Sequence, residues 1–130
     1  MLLFVTFGRF CAAFAAWLAA YKRAWENLDT AASVALFSED ALYSILPFST
    51  PLVGHNALAA YWSKVAVTQS DVHFDYDILA VTAELGINHW SVSFIKRKTG
   101  KLVCLDGIFV VRLNVNGLCT EFREWWEGSQ

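Results

Sequence analysis

A single carboxylate set among tryptophans is where this chain brings together side chains able to do chemistry. Residues 119–126 read Cys-Thr-Glu-Phe-Arg-Glu-Trp-Trp. In an extended strand alternate side chains share a face. Thr120, Phe122, Glu124 and Trp126 therefore fall on one side, and Cys119, Glu121, Arg123 and Trp125 on the other. The first set is the more apolar and is assigned to the interior. A carboxyl group enclosed by Phe122, Trp126, Trp90 and Phe109 would be desolvated, which disfavours the anion and moves its pKa toward the range of a general acid or base at neutral pH. The alternative is an acid at an open rim, paired to a lysine or tyrosine without chemistry. Asn88, two residues before Trp90 on the expected inward row, is the next polar candidate. Tyr21 is a third: its hydroxyl either donates into a pocket or is satisfied locally within a core.

Composition narrows what such a group could serve. At 130 residues the chain is the size of one domain and long enough to bury a core without staples. Its residues are 56% hydrophobic and 15% aromatic, with only 17% charged, a surplus that suits a lined cavity or a subunit contact. A formal charge of −2, with Lys96-Arg97-Lys98 the longest basic run, argues against nucleic acid. That run adjoins Thr99-Gly100 and reads as a solvated hairpin end. Cys11, Cys104 and Cys119 have no metal-ligand spacing, and an odd number cannot all pair, so a reducing, cytoplasmic setting is expected. His55, His73 and His89 are scattered, and no metal or other cofactor is expected.

Three helices and a long sheet must position the candidate residues. Phe10, Phe14, Trp17, Tyr21, Trp25 and Leu28 recur at helical spacing, which predicts a core helix over residues 9–28 rather than a signal peptide or membrane span. Residues 1–8 are set apart as an extension, leaving one domain over 9–130. Asp29 is a candidate N-cap for a short helix to about Phe37. A strand is expected over Ala41–Leu46, then a loop through Pro47 and Pro51, and a third helix from Gly54 to about Val67. After Ser70-Asp71 the period becomes two, with Val72, Phe74, Tyr76 and Ile78 inward and His73, Asp75 and Asp77 outward. A hairpin of Ile87–Lys98 against Lys101–Leu113 follows, and Asn116-Gly117 turns the chain into the last strand. This order predicts an α+β domain, its helices on the concave face of a twisted, mostly antiparallel sheet. On the outward face, His89, His73, Asp75, Asp77 and Asp106 read as a solvated or interfacial surface. Gly107 on the inward row either permits sheet curvature or leaves ligand space.

The segments Trp25-Glu26-Asn27-Leu28-Asp29, Leu36-Phe37-Ser38-Glu39-Asp40-Ala41, Pro47-Phe48 with Pro51 and Gly54, Tyr61-Trp62, and Leu105 to Trp126 occur in this order. Together they resemble the SnoaL-like branch of the nuclear transport factor two-like superfamily, over about residue 10 to the end. The resemblance implies a cone-shaped half-barrel with a pocket and a homodimer formed through the convex sheet face. It does not carry over the catalytic sets of two relatives. Tyr21 falls at the place of the tyrosine of ketosteroid isomerases, but Leu46 and Phe109 stand where their two aspartates would be. Glu124 takes the place of the acid of epoxide hydrolases, but Trp90 and Val92 replace its Arg and Asp partners. What remains is a pocket of Trp17, Tyr21, Phe37, Trp62, Phe74, Trp90, Phe109, Phe122 and Trp126 for a small, flat, apolar organic ligand. Isomerisation, dehydration or cyclisation through Glu124 is one use of it, and binding or assembly without catalysis is the other.

Overall fold

The structure, a computed structural model, describes the backbone of residues 2–129 and the side chains of residues 8–128. The elements run α1 (Leu2–Glu26), α2 (Thr30–Val34), β1 (Phe37–Ser44), β2 (Leu52–Val53), α3 (Gly54–Thr68), β3 (Gln69–Val81), β4 (Leu85–Lys96), β5 (Lys101–Leu113) and β6 (Cys119–Ser129). The six strands form one sheet in the order β2-β1-β6-β5-β4-β3. Every neighbouring pair is antiparallel except β1 with β6, which is parallel. The helices pack on the inner face, as the α+β reading requires.

The buried row of α1 is the one its periodicity predicts: Phe10, Phe14, Trp17, Tyr21 and Trp25 are all under a tenth exposed. The helix ends two residues before the expected Leu28. Leu28 adopts the left-handed conformation at φ 52, its N–H bonds to the Trp25 carbonyl, and that of Asp29 bonds to Ala24. This reversal satisfies carbonyls of the last turn, although the role usually falls to glycine. The reading of residues 1–8 as a separate extension lies largely outside what is described, since neither Met1 nor the side chains through Phe7 are; the helical backbone itself begins at Leu2.

Asp29 does cap α2, its carboxylate accepting from the Ala32 N–H at 3.0 Å. The helix is shorter than expected, and Ser38, Glu39 and Asp40 belong to β1 rather than to a helix end. The cause is long-range. Phe37 pairs with Cys119 on β6, and the register shifts before Leu42 pairs with Glu121. A bulged strand of this kind hides its alternation. The Thr99-Gly100 and Asn116-Gly117 turns form as expected, with Gly100 and Gly117 at φ 70 and 78.

The α1 helix is fastened to β3 by a polar clamp beside the core. Glu26 Oε2 accepts from the Phe74 N–H and from Lys22 Nζ, both at 2.9 Å, and Lys22 also donates to the Phe74 carbonyl. Partial burial works to raise the Glu26 pKa, but the Phe74 N–H and the Lys22 ammonium outweigh it and hold the carboxyl below its ordinary value. Glu26→Ala leaves a strand N–H without its acceptor and is expected to cost roughly 1–3 kcal/mol in urea unfolding. A loss well under 1 kcal/mol would show that water replaces the carboxylate.

Among the described residues no helix is long and apolar enough to cross a membrane. Nor do three His, Cys, Asp or Glu side chains among them gather as metal ligands.

Candidate functional site

The pairing of β6 with β5 and β1 puts Glu124 in the centre of the sheet. Phe122, Glu124 and Trp126 face inward, and across the ladder Glu124 lies opposite Phe109 while Trp126 lies opposite Gly107. On the other side of β6, Tyr43 is the partner of Phe122, their rings stacked at 4.5 Å. Tyr21 comes down from α1, 5.2 Å from Phe109 and 5.9 Å from Phe122 between ring centroids. Tyr61 approaches from α3, 5.5 Å from Tyr43. A carboxyl group is thus held by three elements that each bring a phenol.

Glu124 is 5% exposed. Among the described residues it has neither an ion pair nor a hydrogen bond of ordinary geometry. Burial pushes its pKa up to about 8, with only the neighbouring Tyr43 hydroxyl working to lower it. The phenols of Tyr21, Tyr43 and Tyr61 are in turn driven upward by their own burial and then by the Glu124 charge, so all three stay neutral. The Tyr43 hydroxyl is buried without a hydrogen-bond partner. Tyr43→Phe removes the hydroxyl that, close to the carboxylate but outside ordinary hydrogen-bond geometry, holds the Glu124 pKa down, so it is expected to raise that pKa further while changing stability by less than about 1 kcal/mol. Thermal unfolding and carboxyl NMR check the two halves. A loss of several kcal/mol would mean that this hydroxyl is bonded.

A cavity of about 490 Å³ opens beside the acid. Trp25, Trp62, Trp90 and Trp126 wall it together with the three tyrosines and Phe94, while Ile45, Val103 and Leu105 supply aliphatic surface. Thr68, Gln69 and Lys96 complete the lining, with Thr68 and Lys96 exposed. Of the residues expected from the sequence, Glu124, Tyr21, Trp62, Trp90 and Trp126 line this space. Trp17, Phe37, Phe74, Phe109 and Phe122 are fully or almost fully buried in the continuous aromatic core behind it. Asn88 is fully buried on β4 apart from the cavity; its Nδ2 donates to the His89 carbonyl and its Oδ1 has no partner. Sequence reading did not place Trp25, Phe94 or Gln69 at the cavity. The helical period continued from Tyr21 to Trp25 could have done so, but nothing local points to Gln69, whose Oε1 accepts the Trp25 indole N–H at 2.9 Å.

Outside the cavity several polar residues have structural partners. Asp106 faces away from the core and both its oxygens lie 3.0 Å from His89 Nε2. The His55 ring bonds the Phe37 carbonyl at 2.7 Å, tying the start of α3 to β1. Cys119 is buried, and burial pushes its thiol pKa upward.

The model of the SnoaL-like domain matches residues 17–122. Among solved structures, a putative polyketide cyclase from Xanthomonas campestris superposes with a TM-score of 0.77 at 16% identity, covering 89% of this chain and 91% of its own. The epoxide hydrolase/cyclase-like enzyme SalBIII, which acts in pyran ring formation in the polyether salinomycin, gives 0.75 at 18% identity, covering 87% and 89%. A ketosteroid isomerase-like protein from Erwinia carotovora atroseptica gives 0.68 at 19% identity, covering 87% and 92%. No curated protein matches the chain.

Proposed function

We propose, on the premise that this chain belongs to the SnoaL-like domain family, that its cavity takes a small, largely apolar organic molecule and that Glu124 transfers a proton to or from it. The observation that carries this reading is a buried carboxyl group without an ion pair, facing a cavity whose walls are mainly aromatic and aliphatic. A group with a pKa near 8 is protonated over most of the neutral range, yet readily ionised, and so serves as acid or base. The reactions it suits are isomerisation, dehydration or cyclisation. Each needs a proton moved between carbon and oxygen or between two oxygens, with Tyr21 placed to hold an oxygen and no cofactor required.

A second reading, binding without turnover, is favoured by the set of groups around the acid. The three phenols beside it are held neutral, so Glu124 works without a second proton-transfer group of matched pKa. In either reading a second copy is proposed to cover the convex sheet face, where Trp125 is 38% exposed and stacks with Arg123.

Native mass spectrometry of the protein purified gently from its host tests the pocket. A dimer that retains a defined small molecule supports it and names the class to try for turnover. Once a turned-over substrate is in hand, Glu124→Gln is expected to lower kcat by at least about 100-fold with the fold intact. Retained turnover would leave binding as the function.

A further inference from the structure

One end of the cavity is a cross-strand row of hydrogen-bond donors. Lys96 on β4 lines the cavity; Lys101 is its partner across the β4–β5 ladder and Gln69 its partner across β3–β4. Residues directly opposite on neighbouring strands point to the same side of the sheet, so the three share the cavity's face. Gln69 also lines the cavity, and since its Oε1 is taken by the Trp25 indole N–H, its amide nitrogen remains to donate. Like charges directly opposite one another are destabilising. Lys96 and Lys101 nevertheless stand so without an acid between them: among the described residues the ion pairs of lysine and arginine are those of Lys22, Arg112 and Arg123. Asp71, two residues from Gln69, accepts from the Ser70 hydroxyl. The run Lys96-Arg97-Lys98 reads from sequence as a solvated hairpin end, which fits Arg97 and Lys98 but not Lys96, the one of the three that lines the cavity. Glu124, the acid that lines the same cavity, lies far from this row. It is level with Phe109, eight residues along β5 from Lys101, at most about 26 Å in a straight strand. Phe94, Val103, Leu105 and Trp126 occupy the lining between. With a pKa near 8, Glu124 keeps its proton at neutral pH and does not repel an anion.

We infer that the molecule held here is an amphipathic anion, its carboxylate or phosphate seated between Lys96 and Lys101 beside Gln69, and its apolar body lying along Phe94, Val103, Leu105 and Trp126 toward Glu124. An anion between the two lysines relieves their repulsion and accepts from both, and charge-assisted bonds of this kind are stronger than neutral ones. Both lysines are exposed, so the seat is open to water and its contribution is moderate and sensitive to salt. The inference rests on reading the cavity as a ligand pocket, and it puts the reacting end of the ligand away from its charged end.

The probes 6-phenylhexanoate and 6-phenylhexanamide have nearly the same shape and differ in charge, so their dissociation constants at low ionic strength, read from tryptophan fluorescence, isolate the effect. The carboxylate is expected to bind at least about 10-fold more tightly, and the gap to narrow as salt is added. Lys96→Gln combined with Lys101→Gln is expected to abolish the preference while leaving the amide bound as before, which also shows that the variant is folded. Lys98→Gln, at the same hairpin end but off the cavity, is expected to keep it. The same assay with 5-phenylpentyl phosphate separates the two kinds of anion: tighter binding than the carboxylate supports a phosphate head, weaker binding a carboxylate. Equal affinities for acid and amide, or a preference for the amide, would overturn the inference and leave the apolar pocket standing. A preference that survives the double substitution, or that Lys98→Gln removes equally, would overturn the seat between Lys96 and Lys101. Binding of none of the probes would overturn the inference and the pocket reading together.

Discussion

Glu124→Gln is expected to stabilise the protein at pH 8 by roughly 4 kcal/mol and to change it little at pH 4.5. The side chain is 5% exposed and its pKa rises from 4.5 to about 8 on folding. Below pH 4.5 the folded and unfolded chains both keep the proton, and the acid costs nothing. Between 4.5 and 8 the unfolded chain releases it while the folded chain retains it. Stability therefore falls as pH rises, at about 1.4 kcal/mol per pH unit, and the loss levels off above the folded pKa. Glutamine keeps the shape and removes the titration. Glu26 acts in the opposite sense, since its lowered pKa gives stability that disappears as pH falls, but it is common to both proteins and cancels in their difference. Urea unfolding of wild type and variant from pH 4 to 9 measures that difference. Parallel curves would mean that Glu124 is hydrated in the folded protein, and the argument for its chemistry would go with them. A penalty of this size is a large share of an ordinary domain's stability. Such a penalty at the one acid that lines the cavity among the described residues is the pattern expected of a functional group.

Gly107→Ala is expected to destabilise the fold by at least about 3 kcal/mol. A Cβ at this position would stand 2.0 Å from the Trp125 carbonyl oxygen and 3.0 Å from Trp126 Cα, both backbone atoms of the neighbouring strand. A strand held by its ladder cannot yield without displacing Trp126 and, two residues away, Glu124. Gly86 provides the contrast. A Cβ there would meet the Phe14 ring at 2.4 Å, but a side chain can rotate or slide away, so Gly86→Ala should cost less. Denaturation midpoints of the two variants order the effects. A Gly107→Ala protein within about 1 kcal/mol of wild type would show that β5 and β6 have room to separate. The sequence reading offered sheet curvature or ligand space for Gly107; these distances speak against ligand space, since the obstruction is the backbone of the neighbouring strand, and the close approach of that strand was not foreseen.

The periodic segments were legible because their patterns are local. The spacing from Phe10 to Trp25 marks one buried helical face, and Asp29 caps the next helix through a bond three residues away. Strands β3 to β6 alternate over much of their length, and the two glycine turns need positive φ that the sequence advertises; the exceptions lie at register shifts, where Ile78, expected inward, is exposed and Cys119, expected outward, is buried. Glu124 stood out for the same reason, since alternation alone puts it beside Phe122 and Trp126. The start of β1 was not legible. Ser38, Glu39 and Asp40 are polar in succession and become strand only because β6, some eighty residues later, lies parallel to them.

Composition, turn chemistry and periodicity by themselves determined an α+β chain with its aromatic residues and an acid turned inward. Tertiary structure alone decided which of those aromatics fill the core and which border empty space. Alternation reports the face a side chain takes, not the distance to whatever lies above it. That distance is set by how α1 and α3 rest on the sheet: close enough over Phe37, Phe109 and Phe122 for ring to meet ring, and far enough over Trp90, Glu124 and Trp126 to leave a cavity.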